Sequence, residues 1–296
     1  MKGEMHVVSG LTMVFSVITL FLSLVFPVLL AIWFCRKYKA PATTVLLGAL
    51  TFLVFQWILR IPLLRILQPY YPGAESNLKG WGLALYSFYL AFTAALFEEG
   101  GRVIVCKLFL KKKKSWNNAI ALGIGHGGFE SISIVGLTYI NNLILMAIIN
   151  LGFLNPANDP TGALSQAVQL LTNTPPVMFL LAGVERVLAI ILHIGFSLLV
   201  VYGLASRKLC YVLYAFLAHF ILNFPLAFTQ GITGGTYITM AYIAIMALVS
   251  LYWSVKISPA LFEKLQLNQN KERQLDIQAN DVSEGQLRED NKGRAE

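Results

Sequence analysis

Uninterrupted apolar blocks of about 20 residues or more recur along this chain. Each is long enough to cross a hydrocarbon core of roughly 30 Å at about 1.5 Å per residue of helix. Composition agrees. Of the 296 residues, 56% are hydrophobic and only 13% are charged, with a mean hydropathy of +0.65. The charged share is about half that of a soluble globular protein. These features exclude a single soluble core and a disordered chain, and they select an all-α, polytopic membrane helix bundle. The formal net charge of +8 would suggest a nucleic-acid partner in a soluble protein. Here Lys and Arg stand at the ends of apolar blocks, so they report topology, and no nucleic-acid partner is expected.

Seven spans follow from the pattern, at about residues 8–34, 43–67, 83–110, 118–149, 177–205, 209–228 and 237–255. The fourth is long enough to kink near its glycines or to split in two, which would make eight. The first is longer than a signal-peptide core and lacks a small-x-small cleavage site, so it reads as a retained span. Arg36, Lys37 and Lys39 follow span one, Lys107 and Lys111 to Lys114 follow span three, Arg207 and Lys208 follow span five, and Lys256 follows span seven. Every second connection is basic, which predicts a multi-pass protein with its N-terminus outside and its C-terminus in the cytoplasm. Arg60 and Arg65 sit against this rule, near the outer end of span two, and are expected to snorkel to the interface.

The membrane domain is drawn as 1–257. Residues 258–296 turn polar and read as a disordered cytoplasmic tail with a short helix over 260–267. Within the outer segment 151–176, residues 163–171 suit either the membrane surface or an ordered loop. Cys35, Cys106 and Cys210 form no CxxC pair and read as free thiols near the cytoplasmic face. No internal repeat or inverted symmetry is visible, which weighs against a transporter.

The chemistry lies in polar groups that the spans should not contain, since each ionisable side chain there costs on the order of 2.5 to 3.5 kcal/mol on insertion scales. Span three carries Glu98-Glu99-Gly100-Gly101-Arg102. Span four carries His126-Gly127-Gly128-Phe129-Glu130, span five Glu185-Arg186 and His193, and span six His219 with Asn223. Counted from the span ends, Glu98, His126, His193 and His219 fall at one level, within about 7 Å. His126 with Glu130, His219 with Asn223, and Glu98 with Arg102 are i, i+4 pairs that share a helix face. Glu98 and Glu99 differ in direction by about 100°, so one is expected to act while the other is held by an Arg. Glu185-Arg186 reads as a structural pair. Gly123, Gly125, Gly127 and Gly128 suit close helix packing or backbone access for a substrate.

A buried carboxylate with several imidazoles has the parts to activate water. HExxH, GxSxG and an intramembrane pair of Asp are all missing from the sequence. The residues by themselves leave open an intramembrane Glu/His catalyst, a proton-coupled transporter using Glu98, His126 and His219 as a relay, and a non-catalytic membrane scaffold.

The ordered set Glu98-Glu99-x-x-Arg102, His126-Gly-Gly-x-Glu130, Glu185-Arg186 with His193, and His219-x-x-x-Asn223 resembles the YhfC-type membrane peptidases. That family is grouped with the CAAX-protease and bacteriocin-processing intramembrane peptidases. The resemblance covers about residues 10–256. It implies an intramembrane peptidase that hydrolyses a bond in a peptide or membrane-protein substrate near the cytoplasmic side of the bilayer. It further implies Glu98 as base, His126 as its partner, and His219 and Asn223 as stabilisers, with His193 the weakest match. The broader group has EExxxR where this chain has EExxR, which moves Arg102 around the helix. His126, His193 and His219, with Glu98, could hold zinc, and the same residues also suit a site without metal.

Overall fold

The computed structural model describes residues 7–67, 78–111, 113–153, 162–229 and 232–293. Among the described residues seven helices are long and apolar enough to cross a membrane. In chain order the elements are α1 (Gly10–Tyr38), α2 (Ala42–Leu67), α3 (Gly80–Leu108), α4 (Trp116–Asn150), a short α5 (Ala163–Asn173), α6 (Pro176–Ala205), α7 (Cys210–Thr229), α8 (Gly235–Tyr252) and α9 (Ser258–Gly293). Short connections join α1 to α2 and α6 to α7, with Lys39 and Arg207 in the left-handed region at φ 52° and 57°. The basic clusters therefore gather at one end of the bundle.

Lipid inverts the usual inside-outside pattern. On α1 the buried side carries Thr12, Ser16, Thr19 and Ser23, while Val14, Val17 and Phe21 face outward. Thr19 Oγ1 donates to the Phe179 carbonyl of α6 at 2.6 Å, and Ser131 Oγ of α4 donates to the Ser23 carbonyl at 3.0 Å. α6 is the central helix: 67% of its most apolar stretch is buried, against 17–22% in the other spans.

The fourth span remains one element. It widens at Ser131–Gly136, beyond the run of glycines. Those glycines serve packing. A Cβ on Gly125 would lie 1.8 Å from the Val45 carbonyl oxygen of α2, and one on Gly123 would lie 2.5 Å from Ile194 Cα of α6. Backbones on both sides press against α4, which is how His126 reaches the centre. Gly125→Ala is expected to lower stability by at least the roughly 1–3 kcal/mol of an overpacked core. Gly100→Ala, whose Cβ would meet nothing within 4 Å, should be neutral. Thermal midpoints of the two variants in detergent check this.

Two segments differ from the sequence reading. Residues 163–171 fall in α5, whose Val168 and Leu171 pack against Tyr139, Met146 and Phe179, so the segment is a docked helix. After Ser258, where a disordered tail with a helix over 260–267 is expected, α9 continues to Gly293 without a break from the wide turn Trp253–Ile257. Phe262 is buried against Tyr202, and Trp116 Nε1 donates to Ser258 Oγ at 2.9 Å. The Gln, Glu, Lys and Arg that follow are good helix formers, so low hydrophobicity does not end the helix.

Candidate active site

α3, α4, α6 and α7 bring Glu98, His126, His193 and His219 together, each at most 5% exposed. Glu98 Oε2 is the centre. His126 Nε2 lies 2.9 Å from it, and His193 Nδ1, His219 Nε2 and Arg102 Nη2 each lie 3.9 Å away. The other oxygen, Oε1, accepts from Gln56 Nε2 at 2.7 Å. Phe52 meets the His126 ring edge-on, and Phe196 stacks on His219 at 5.0 Å between centroids.

Glu99 points a different way along the same helix. Its Oε1 accepts from Arg102 Nη1 and, at 2.7 Å, from His219 Nδ1. Both carboxylates therefore meet an imidazole, but different ones. The EExxR spacing sets Arg102 at i+3 from Glu99 and i+4 from Glu98, one turn toward the basic end, where it contacts both. Arg102 Nη2 also lies 2.6 Å from His193 Nδ1.

These contacts assign the imidazole protons. A guanidinium has only donors, so His193 Nδ1 accepts and its proton sits on Nε2, which is 2.5 Å from Glu130 Oε2. A Glu99 carboxylate accepts from His219 Nδ1–H, which leaves the Nε2 lone pair turned to Glu98. Two of the three imidazoles thus carry a carboxylate on the far nitrogen, the usual way a metal-ligating His is oriented. Glu130 Oε1 accepts from Arg186 Nη1 at 3.0 Å, and Glu185 accepts from Arg186 Nε at 2.8 Å. Glu185-Arg186, the expected structural pair, is the outer end of this same network.

Whether a metal suits these residues is decided by the donors. Ligand atoms of Glu98, His126 and His193 all lie within 4.8 Å of one another, and His219 Nε2, outside that group, lies 3.9 Å from Glu98 Oε2. The imidazole nitrogens stand 2.9 to 3.9 Å from Glu98 Oε2, so the carboxylate lies within reach of a cation that they would hold. His126 Nδ1 and Glu99 Oε2 are buried with no hydrogen-bond partner among the described residues, leaving polar capacity for an ion or its water. Among the described residues two contacts oppose it: Arg102 donates to the same His193 nitrogen, and His126 Nε2 donates to Glu98 Oε2 at 2.9 Å. The donor set fits a divalent cation once that guanidinium turns to Glu99 and His126 gives up its Nε2 proton.

Asn223 lines the cavity beside the site together with Glu130, one turn from His219. Sequence reasoning missed Gln56 and Arg60. Arg60 does not snorkel: its Nη1 donates to Gln56 Oε1 at 3.1 Å, its Nη2 to the Leu90 carbonyl at 2.8 Å and its Nε to Thr93 Oγ1 at 3.2 Å. The wide turn Leu53–Arg60 carries both residues. The i, i+4 spacing of Gln56 and Arg60 in an apolar span was the signal, the same one that marks the other pairs.

A family model described as YhfC intramembrane metalloprotease matches residues 22–247, which contain every residue of this site. The chain is also similar to the uncharacterized membrane protein YhfC of Bacillus subtilis (strain 168), at 33% identity over 257 residues, covering 84% of this chain and 97% of that relative. No solved structure matches.

Proposed function

The chain belongs to the YhfC intramembrane metalloprotease family, and from that premise we propose that it hydrolyses a peptide bond within the membrane using a water activated by Glu98. His126, His193 and His219 would hold a divalent cation beside that carboxylate, zinc being the best match to an imidazole set. The observation that carries the reading is the ring of three imidazole nitrogens around Glu98 Oε2.

When bound, the cation supplies Lewis acidity toward a carbonyl and a water. The rest is done by this chain. Gln56 holds Glu98 Oε1, so Oε2, which faces the imidazoles, would be the oxygen that takes a proton from water and passes it to the leaving amine. Glu99 and Glu130 fix His219 and His193 in the tautomers that present lone pairs inward. Asn223, on the cavity wall one turn from His219, would donate its carboxamide N–H to a developing oxyanion. Burial of Glu98 and the three imidazoles, each at most 5% exposed, strengthens the interactions they make.

Glu98 stands ten residues before Leu108 in a helix that begins at Gly80, in the half of the span nearer the basic end. With the basic end in the cytoplasm by the positive-inside rule, the N-terminus is outside, the C-terminus is cytoplasmic, and the bond is broken in the cytoplasmic half of the bilayer. A transporter relay would need a path beyond Glu98. Packed side chains lie there instead, which favours hydrolysis over transport.

Metal analysis of the purified protein tests the reading. The parent chain is expected to retain a stoichiometric divalent metal through gel filtration, and His126→Ala to lose it while keeping a cooperative thermal transition. A parent protein that cleaves a reporter polypeptide while free of metal would overturn the metal assignment.

A further inference from the structure

We infer that the substrate enters from the end of the bundle opposite the basic clusters, as an extended polypeptide segment presented on the non-cytoplasmic side. The word substrate rests on the proposed function, whereas the route rests on geometry alone.

On the basic side of the site the bundle is sealed. Cys106 lies two turns past Glu98 on α3, Leu122 one turn before His126 on α4, Leu198 after His193 on α6, and Ala215 one turn before His219 on α7. All four are 0% exposed and belong to one apolar cluster. Four helices thus contribute to one buried apolar plug on that side.

On the other side lies a cavity of about 310 Å³ that begins at Glu98, His193 and His219. Its α3 wall is Ser87, Leu90, Ala91 and Ala94, all between Glu98 and the Gly80 end. Its α7 wall, Leu222 to Ala227, likewise runs from His219 away from the basic end. A second cavity of about 390 Å³ shares Glu185, Leu226 and Ile243 with the first and extends it between α6, α7 and α8. The two adjoin at those residues, and both lie on the side of the site away from the basic end.

The lining suits a polypeptide backbone better than a lipid tail. Gln56, Arg60 and Asn223 flank the inner cavity and Thr229, Thr236 and Thr239 the outer one. An extended segment has unpaired N–H and C=O groups that need such partners in a membrane. The Arg60 guanidinium, held by a carboxamide, a carbonyl and a hydroxyl, adds a positive charge to the wall, and the Glu185-Arg186 pair keeps the junction of the cavities polar.

Thiol labelling in sealed vesicles of known orientation tests the route. Ala94→Cys and Ala189→Cys each place a thiol in the inner cavity near Glu98 and His193, on different helices. The native Cys210, exposed at the basic end, is the reference in the same molecule. With a membrane-impermeant cationic methanethiosulfonate, both introduced thiols are expected to react from the face opposite to Cys210 and not from its own. Reaction from the Cys210 face, from both faces, or from neither would overturn the inference. If one variant fails to fold, the other carries the test. Labelling requires no cleavage, so the route and the peptidase reading can fail separately.

Discussion

Glu98→Gln is expected to lower cleavage of a membrane-embedded reporter polypeptide by about 10²- to 10⁴-fold, the usual contribution of a positioned general base, with the protein still folded. Glutamine keeps the size of the side chain, and its carbonyl can still accept from Gln56 Nε2, which holds Glu98 Oε1 at 2.7 Å. The group facing His126 becomes an amide that cannot take a proton. Arg102 keeps its contact with Glu99, so no guanidinium is stranded and the thermal midpoint should move little. Glu99→Gln should instead lower the thermal midpoint and keep cleavage, because its carbonyl can still accept from His219 while the charge that balances Arg102 is lost. Parallel assays of cleavage and thermal stability separate the roles. An active but destabilised Glu98→Gln beside a dead but stable Glu99→Gln would exchange them. Two active, stable variants would remove both carboxylates from the role of base.

Why the level of the site was legible and its wiring was not follows from what a helix repeats. Rise per residue is constant, so counting from span ends brings Glu98, His126, His193 and His219 to one depth before any contact is known. Rotation about each helix axis is set by neighbours. That Glu98 meets His126 while Glu99 meets His219 depends on how α3 is turned against α4 and α7, and the turning depends on where backbones can approach. Gly123 and Gly125 decide part of it, since only bare Cα atoms fit against Ile194 and Val45. A GxxxG spacing announces close packing without naming the partner. Arg60 shows a second limit. A long cation near a span end has an interface within reach, so snorkelling is the default reading. The wide turn Leu53–Arg60 instead points it at Thr93 and the Leu90 carbonyl, and only its i, i+4 spacing from Gln56 separates the two outcomes in the sequence. The segment after Ser258 fails for a third reason: low hydrophobicity shows that a segment cannot build its own core, yet Phe262 borrows one from Tyr202, and the helix continues from there.

Arg102 is expected to give the largest single loss of stability in the site. It is 0% exposed and reaches Glu99, Glu98 and His193 at once. Arg102→Met keeps much of the volume and leaves the Glu99 carboxylate charged in a dry interior, which should cost about 3–5 kcal/mol, the usual result of removing one partner of a buried pair. Replacing both partners removes the stranded charge, so Glu99→Leu with Arg102→Met should be more stable than Arg102→Met alone. The two single losses should sum to more than the double loss, the signature of direct coupling. Function should not follow stability. Without Glu99, His219 loses the acceptor that fixes its tautomer, so the double variant is expected to recover its thermal midpoint but neither metal retention nor cleavage. Additive losses would show that Arg102 and Glu99 act independently, and a double variant that regains metal would show that Glu99 does not orient His219.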